Sequence, residues 1–227
     1  MVILGVDPGS RVTGWGVVRV RSGGRVVEAV AHGTLAGGDG DLASRLVALG
    51  RGLEGVLDRH QPSLVGVEQA FHARNVRSTL VLGHVRGLVL WLAAGRGLAL
   101  AEFAPRAVKL AVTGRGAASK PQVADMVRRL LGLATRPPAD AADALAVALC
   151  CAQRAVPRAG SSPIPPARAN ASARTARSLD GEVVDLSRAF SRVRRGREEA
   201  ALERLALTRP TRASRAPRPA RPVRGPR

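Results

Sequence analysis

The chain has 227 residues, 45% of them hydrophobic, enough for one domain with a buried core and an appendage. Aromatics make up only 2%, so Val, Leu and Ala must build that core. A formal charge of +19 and a pI of about 11.8 argue against a small-substrate enzyme and for a polyanionic partner, nucleic acid before an anionic membrane surface.

Residues 2–6 are a short apolar run closed by Asp7-Pro8-Gly9 and read as a buried strand. Residues 14–20 and 26–34 follow, with Ser22-Gly23-Gly24 as the turn between them, which predicts three antiparallel strands in succession. Residues 41–59 place Leu42, Leu46, Leu49, Leu53, Val56 and Leu57 at helical spacing, with Asp41 as the cap. Pro62-Ser63 break to a buried strand over 64–68 that ends in Glu68. A helix over 75–94, a strand over 98–103 and a helix over 105–112 come next. Ser119 and Gln122 form a capping box for a helix running to about Leu131. Pro137-Pro138 end that region, and residues 139–153 form an alanine-rich last helix. The order predicts an α/β fold, a mixed sheet flanked by helices.

Cys150 and Cys151 are adjacent, so they neither staple distant segments nor have zinc-ligand spacing, and they suit a reducing compartment. The N-terminal run is too short for a signal peptide, and no stretch reaches the roughly 18 apolar residues of a membrane span. A cytoplasmic protein with no membrane partner is expected.

Residues 1–156 carry 19 basic and 11 acidic side chains, an ordinary balance for a folded domain. Residues 157–227 carry 17 and 6, in a setting of Pro, Arg, Ala and Ser that predicts a mostly disordered basic tail. Residues 183–207 are the one stretch there that could form a helix. The tail reads equally as a sequence-independent electrostatic anchor on DNA and as a tolerated terminus without function. No internal repeat stands out.

Four acids carry the chemistry. Asp7 and Glu68 close two apolar strands, and ligands of α/β sheets gather beyond strand ends. Asp140 and Asp143 stand three apart at the start of the last helix, on one face, with Cβ atoms about 5–6 Å apart. Each alone has a plain structural reading, as a helix cap or a turn residue. Together they form an all-oxygen donor set with no His or Cys nearby, which suits magnesium, with manganese as a substitute, over zinc. Lys109 and Lys120 are the only lysines against 34 arginines, and Lys120 stands at a helix N-terminus, a natural phosphate site.

These segments closely resemble the RuvC family of Holliday-junction resolvases. The resemblance rests on residues 5–16 (GVDPGSRVTGWG), Val67-Glu68-Gln69-Ala70-Phe71 with Ala73-Arg74-Asn75, Pro105-Arg106-Ala107-Val108-Lys109, Lys120-Pro121-Gln122-Val123, and residues 139–146 (ADAADALA), in the family's order across residues 1–153. Trp15 stands where the family more often has Tyr. The resemblance implies a ribonuclease-H-like fold and a homodimer that cuts opposite strands of a four-way DNA junction during recombination and repair, leaving 5′-phosphate ends. It implies Asp7, Glu68, Asp140 and Asp143 as the catalytic and metal-binding set, with two magnesium ions per site. It also implies work beside a RuvA–RuvB branch-migration complex. Phe71, three residues after Glu68, could stack on an unpaired base at the junction centre, with Arg74, Asn75, Lys109 and Lys120 on the backbone. Three rivals stand beside it. A sugar-kinase-like ATPase lacks its second nucleotide turn and the length for two domains. A binding protein without cleavage would be expected to lack an acid. A nuclease for another structured nucleic acid would keep the same metal chemistry.

Overall fold

A computed structural model describes residues 1–21, 26–69, 76–155, 175–177 and 183–185. The first unit holds a five-stranded sheet built from β1 (Val2–Asp7), β2 (Val12–Arg21), β3 (Val26–Ala36), β4 (Leu64–Glu68) and β5 (Ala99–Phe103). Its spatial order is β3-β2-β1-β4-β5. β1, β2 and β3 pair antiparallel, and β4 and β5 run parallel to β1. This is the ribonuclease-H-like mixed sheet that the sequence implied.

Side chains of a strand alternate between faces, and here the alternation sorts the core into two layers. Leu4, Val6, Val17, Val65 and Val67 pack with Leu53, Val56 and Leu57 of α1 (Leu42–His60) and Val89 and Leu92 of α2 (Val76–Gly95). Ile3, Val18, Leu64, Ala101 and Phe103 face the other way. They meet α3 (Pro105–Thr113), α4 (Lys120–Leu130) and α5 (Ala139–Ala155).

α5 is the central element of the second layer. Its residues 144–152 are all buried, and four of the nine are alanine. The strands beneath answer with glycine: a Cβ on Gly5 would lie 2.1 Å from the Ala144 carbonyl oxygen. Alanine above glycine lets the helix backbone rest almost directly on the sheet, where dispersion contacts are dense.

Helix ends follow the sequence signals. Asp41 accepts a hydrogen bond from the Ser44 N–H at 2.7 Å and caps α1. The Gln122 side chain accepts from the Ser119 N–H at 2.8 Å, the reach-back half of the capping box.

Three expectations need correction or bounds. α2 is long and apolar enough, with a mean hydropathy of 1.3 over its best window, to match a membrane span by length and composition. It is nonetheless a packing helix here, because Val85, Val89 and Leu92 are buried and Arg86 in mid-helix pairs with Glu102 of β5. In the second unit, Thr175–Arg177 and Val183–Asp185 form two short antiparallel strands, β6 and β7. Residues 175–177 were expected to be disordered and 183–185 to open a helix. Val183-Val184 is a β-branched pair that suits a strand, and Gly181 precedes it. The remainder of the 183–207 helix and the Ser22-Gly23-Gly24 turn lie outside the described residues.

Candidate active site

β1 and β4 are parallel neighbours, with Val6 opposite Val67. One step further along each strand stand Asp7 and Glu68, both at a C-terminal strand end. Parity puts both on the face that carries α5, because Ile3 and Leu64, an even number of residues before them, pack in that layer. The Gln69 N–H donates to the Phe103 carbonyl at 2.8 Å, which extends the β4–β5 pairing past Glu68 and fixes its backbone.

α5 delivers the other two acids to the same end. Asp7 pairs across the ladder with Gly14, and a Cβ on Gly14 would lie 1.9 Å from the Asp140 carbonyl oxygen. The first turn of α5 is thus pressed onto the β2 residue beside Asp7. Asp143 follows on the same helix face, its side chain 18% exposed.

The electrostatics show how crowded this corner is. Burial pushes the Asp7 carboxyl up to about 6, and the charges of Asp143 and Asp140 add to the rise. Burial pushes the Glu68 carboxyl up to about 7, with Asp7 and Asp143 reinforcing it. Lys120 opposes both shifts, and Lys109 opposes the shift at Glu68. The Lys120 ammonium donates to Asp143 Oδ2 at 2.9 Å, and this bond holds the ammonium pKa above its ordinary value.

Four carboxylates facing two lysines leave an excess of negative charge, which is the condition a bound cation relieves. The donors are all hard oxygens, so the set fits magnesium or manganese by its chemistry. Among the described residues, no three His, Cys, Asp or Glu side chains converge tightly enough, as they stand, to hold one ion. Asp143 spends one of its oxygens on Lys120 instead.

Two contributors escaped the sequence reading. Thr13 is fully buried; its hydroxyl donates to the Gly9 carbonyl at 2.7 Å, and the Gly9 N–H reaches Thr13 Oγ1 at 3.3 Å. It ties the Asp7-Pro8-Gly9 turn to β2. Arg45 of α1 reaches Ser10 Oγ at 3.4 Å from Nη1, while its Nε is buried with no hydrogen-bond partner. Thr13 stood out in the sequence only as a hydroxyl in a valine-rich strand, and Arg45 carried no signal at all. Phe71, Arg74 and Asn75 lie outside the described residues.

Comparison with known proteins gives a consistent picture. A family model described as Crossover junction endodeoxyribonuclease RuvC matches residues 3–151. The protein of that name from Ectopseudomonas mendocina is 50% identical over 149 residues, 66% of this chain and 84% of that one. Its counterpart in Marinobacter nauticus is 48% identical over 149 residues, with 66% and 84% covered. Among solved structures, Thermus thermophilus RuvC is 35% identical with a TM-score of 0.63, and the match covers 68% of this chain and 95% of that one. T. thermophilus RuvC in complex with Holliday junction substrate is 34% identical, with a TM-score of 0.62 and coverage of 67% and 93%.

Proposed function

Because the chain belongs to the RuvC family of crossover junction endodeoxyribonucleases, we propose that it resolves four-way DNA junctions by hydrolysing phosphodiesters in two opposing strands. The observation that carries this reading is the meeting of Asp7, Glu68, Asp140 and Asp143 at one end of the sheet, where burial first, and the neighbouring acids second, raise the Asp7 and Glu68 carboxyls. Cleavage consumes water and leaves a 5′ phosphate and a 3′ hydroxyl.

Asp7, Glu68, Asp140 and Asp143 would hold the cations, magnesium by preference, two per site. When bound, a metal pair supplies the positive charge that offsets the anionic phosphate and lowers the pKa of water. Asp7, whose carboxyl feels the charges of both Asp143 and Asp140, would be the central ligand of the set. Lys120, which pairs with Asp143 at this corner, would contact a phosphate oxygen beside the scissile bond. Lys109 supports the backbone on the Glu68 side. Phe71, Arg74 and Asn75 belong to the same proposal, as contacts to the bases and backbone at the junction centre.

Cutting two strands calls for two sites, hence a homodimer. The exposed face of α2 favours that arrangement. Val76, Leu80 and Trp91 are 76%, 60% and 57% exposed, and Gly83 and Gly87 open on space. These positions recur at intervals of three and four, so they form one stripe, which a second copy would cover. Coupling to a RuvA–RuvB complex rests on the resemblance alone, and a cytoplasmic location on the resemblance together with the adjacent free cysteines Cys150 and Cys151.

The test is a labelled synthetic four-way junction, incubated with magnesium, with chelator, and with an Asp7→Asn variant. Paired symmetric nicks that require magnesium and vanish in the variant support the reading. Tight junction binding without cleavage, in magnesium or manganese, sinks it in favour of a binding module.

A further inference from the structure

The turn that follows Asp7 is tied to the β3–α1 connection and to the start of α1. The Gly37 N–H donates to the Arg11 carbonyl at 2.7 Å. The Arg11 guanidinium stands 3.5 Å from Asp39. Arg45 reaches Ser10 Oγ at 3.4 Å, and its Cβ would lie 3.3 Å from a Cβ on Gly37. Ser10 and Arg45 are both half-buried.

Arg45 stands apart here because its charge is not answered. A guanidinium carries several N–H donors in one plane and no acceptor. Among the described residues, Ser10 Oγ is its hydrogen-bond partner, at a long distance, and its Nε is buried with none. Arg86 also has an unpaired buried Nε, but Glu102 balances its charge. The acids beside Arg45 are engaged elsewhere. Asp39 pairs with Arg11, and Asp41 caps α1 through the Ser44 N–H. The Asp41 carboxyl is held below its ordinary value first by that Ser44 bond, and Arg45 contributes last. A half-buried cation with unmet donors is costly until an anion completes it.

Its place says which anion. Ser10 stands three residues beyond Asp7, so their Cα atoms lie no more than about 11 Å apart. A DNA strand covers that distance in about three nucleotides of axial rise. Asp7 faces the α5 layer, whereas α1 packs on the opposite face of the sheet. A strand laid across the end of β1 therefore meets Lys109 and Lys120 on one side and Arg45 on the other.

We propose that Arg45, with Ser10, binds a second phosphate of the cleaved strand, within about three nucleotides of the scissile bond and across the sheet end from the two lysines. The identity of the anion rests on the reading above. Nε and one Nη lie side by side on a guanidinium and suit two oxygens of one phosphate, and the Ser10 hydroxyl adds a further donor. A phosphate contact positions the strand without reading its bases.

The experiment compares the full-length natural chain with Arg45→Met and Arg45→Lys. The probes are four-way junctions in which one phosphate at a time, near the branch point, is replaced by an uncharged methylphosphonate. Binding is read by fluorescence anisotropy in chelator, so it does not depend on cleavage, and cut positions are mapped separately in magnesium. The natural chain should lose roughly tenfold in affinity at one such position close to the cut, about the contribution of a hydrogen bond between charged partners. Arg45→Met should bind the unmodified junction about tenfold more weakly and be indifferent to the methylphosphonate at that position, while keeping the natural losses elsewhere. Arg45→Lys should keep part of both. The melting temperature of Arg45→Met should hold or rise, because an unanswered charge is gone. Natural affinity in Arg45→Met overturns the proposal. So does a lower melting temperature with equal loss at every phosphate, which would make Arg45 a brace for the Asp7 turn. An Arg45-dependent position in a chain that never cuts a junction, in magnesium or manganese, sinks the nuclease reading and leaves the phosphate site standing. A chain that binds no junction sinks both.

Discussion

Gly14 and Asp140 share a space that only one of them can fill: a Cβ on Gly14 would sit 1.9 Å from the Asp140 carbonyl oxygen and 3.1 Å from its Cβ. Gly14 is also the ladder partner of Asp7. The separation of the first and third acids is therefore set by the absence of one methyl group. Gly14→Ala should lift the start of α5 from the sheet. The expected cost is about 1–3 kcal/mol of stability, the usual range for overpacking. Cleavage should fall about 100-fold or more, since displacements near 1 Å cost that much. Thermal melts and single-turnover cleavage measure the two effects, and an active Gly14→Ala enzyme would show that Asp140 is not a positioned ligand.

Acidity should stabilise the metal-free protein. Burial raises the Asp7 carboxyl to about 6 and the Glu68 carboxyl to about 7, against ordinary values of 3.8 and 4.5. Between the ordinary and raised values the folded chain holds more protons than the unfolded one, so stability falls as pH rises from about 4 to about 7. Cations should reverse this by favouring the ionised carboxylates. Melting temperatures from pH 5 to 8, with chelator and with magnesium, should diverge as pH rises. Asp7→Asn should flatten the metal-free slope. Melting curves that stay parallel across this range would remove the coupled-carboxylate account.

Lys120→Ala should separate stability from activity. The Lys120 side chain is 74% exposed, and exposed ion pairs contribute about 0–1 kcal/mol, so the melting temperature should hardly move. Cleavage at saturating junction should fall by roughly 100-fold, the loss typical of one positioned charge-stabilising donor. Metal affinity, read by calorimetry, should tighten, because Asp143 no longer has a lysine to satisfy. A variant that loses stability but not rate would make Lys120 a mere brace.

Thr13→Val keeps the shape of a fully buried side chain and deletes both hydrogen bonds to Gly9. Losing two hydrogen bonds to the half-buried Gly9 should cost about 1–3 kcal/mol. The turn that follows Asp7 should loosen, with a fall in kcat larger than any change in KM. Thr13→Ser should restore most of both. A Val variant that keeps full stability and rate while the Ser variant loses them would point to the methyl group instead of the hydroxyl.

Leu80→Asp should split the assembly. Leu80 is 60% exposed on the stripe that includes Gly83 and Gly87, and a charge there would be buried against a second copy. Sedimentation should show a dimer for the natural chain and a monomer for the variant, with single nicks replacing paired ones. A dimeric variant would place the interface elsewhere.

Much of this molecule was legible in its sequence, for reasons that differ by element. β4 could be read to the residue, because Pro62-Ser63 and Glu68 bound an unbroken apolar run. α1 and α4 were legible through Asp41 and the Ser119–Gln122 box, which act locally. The side of the sheet on which Asp7 and Glu68 meet followed from strand parity, once β1 and β4 were known to be neighbours. What lay hidden depends on contacts between distant segments. Gly14 reads as a small residue after Thr13 until α5 is laid across it. Arg45 lies 35 residues from Ser10 and shows its role only when α1 folds back. The apolar character of α2 on every side blurred its periodicity, because one face packs inward while Leu80 and Trp91 face out.

The contact between α5 and the sheet has a mechanical side. With Ala144 and Ala148 seated over Gly5, and Asp140 over Gly14, sliding the helix by one residue, about 1.5 Å, would drive backbone into backbone. Nor can it roll, since Leu145 fills the space over Gly16 and Cys151 that over Gly66. The helix is a key cut for one lock position. The two late acids and the two strand-end acids are thus held at a separation fixed by close backbone packing, which no loop can relax. Any adjustment on binding must come from the incoming DNA or from side-chain rotation, chiefly at Glu68 and Asp143. Selectivity then becomes a matter of which substrate can bend to meet a rigid gauge.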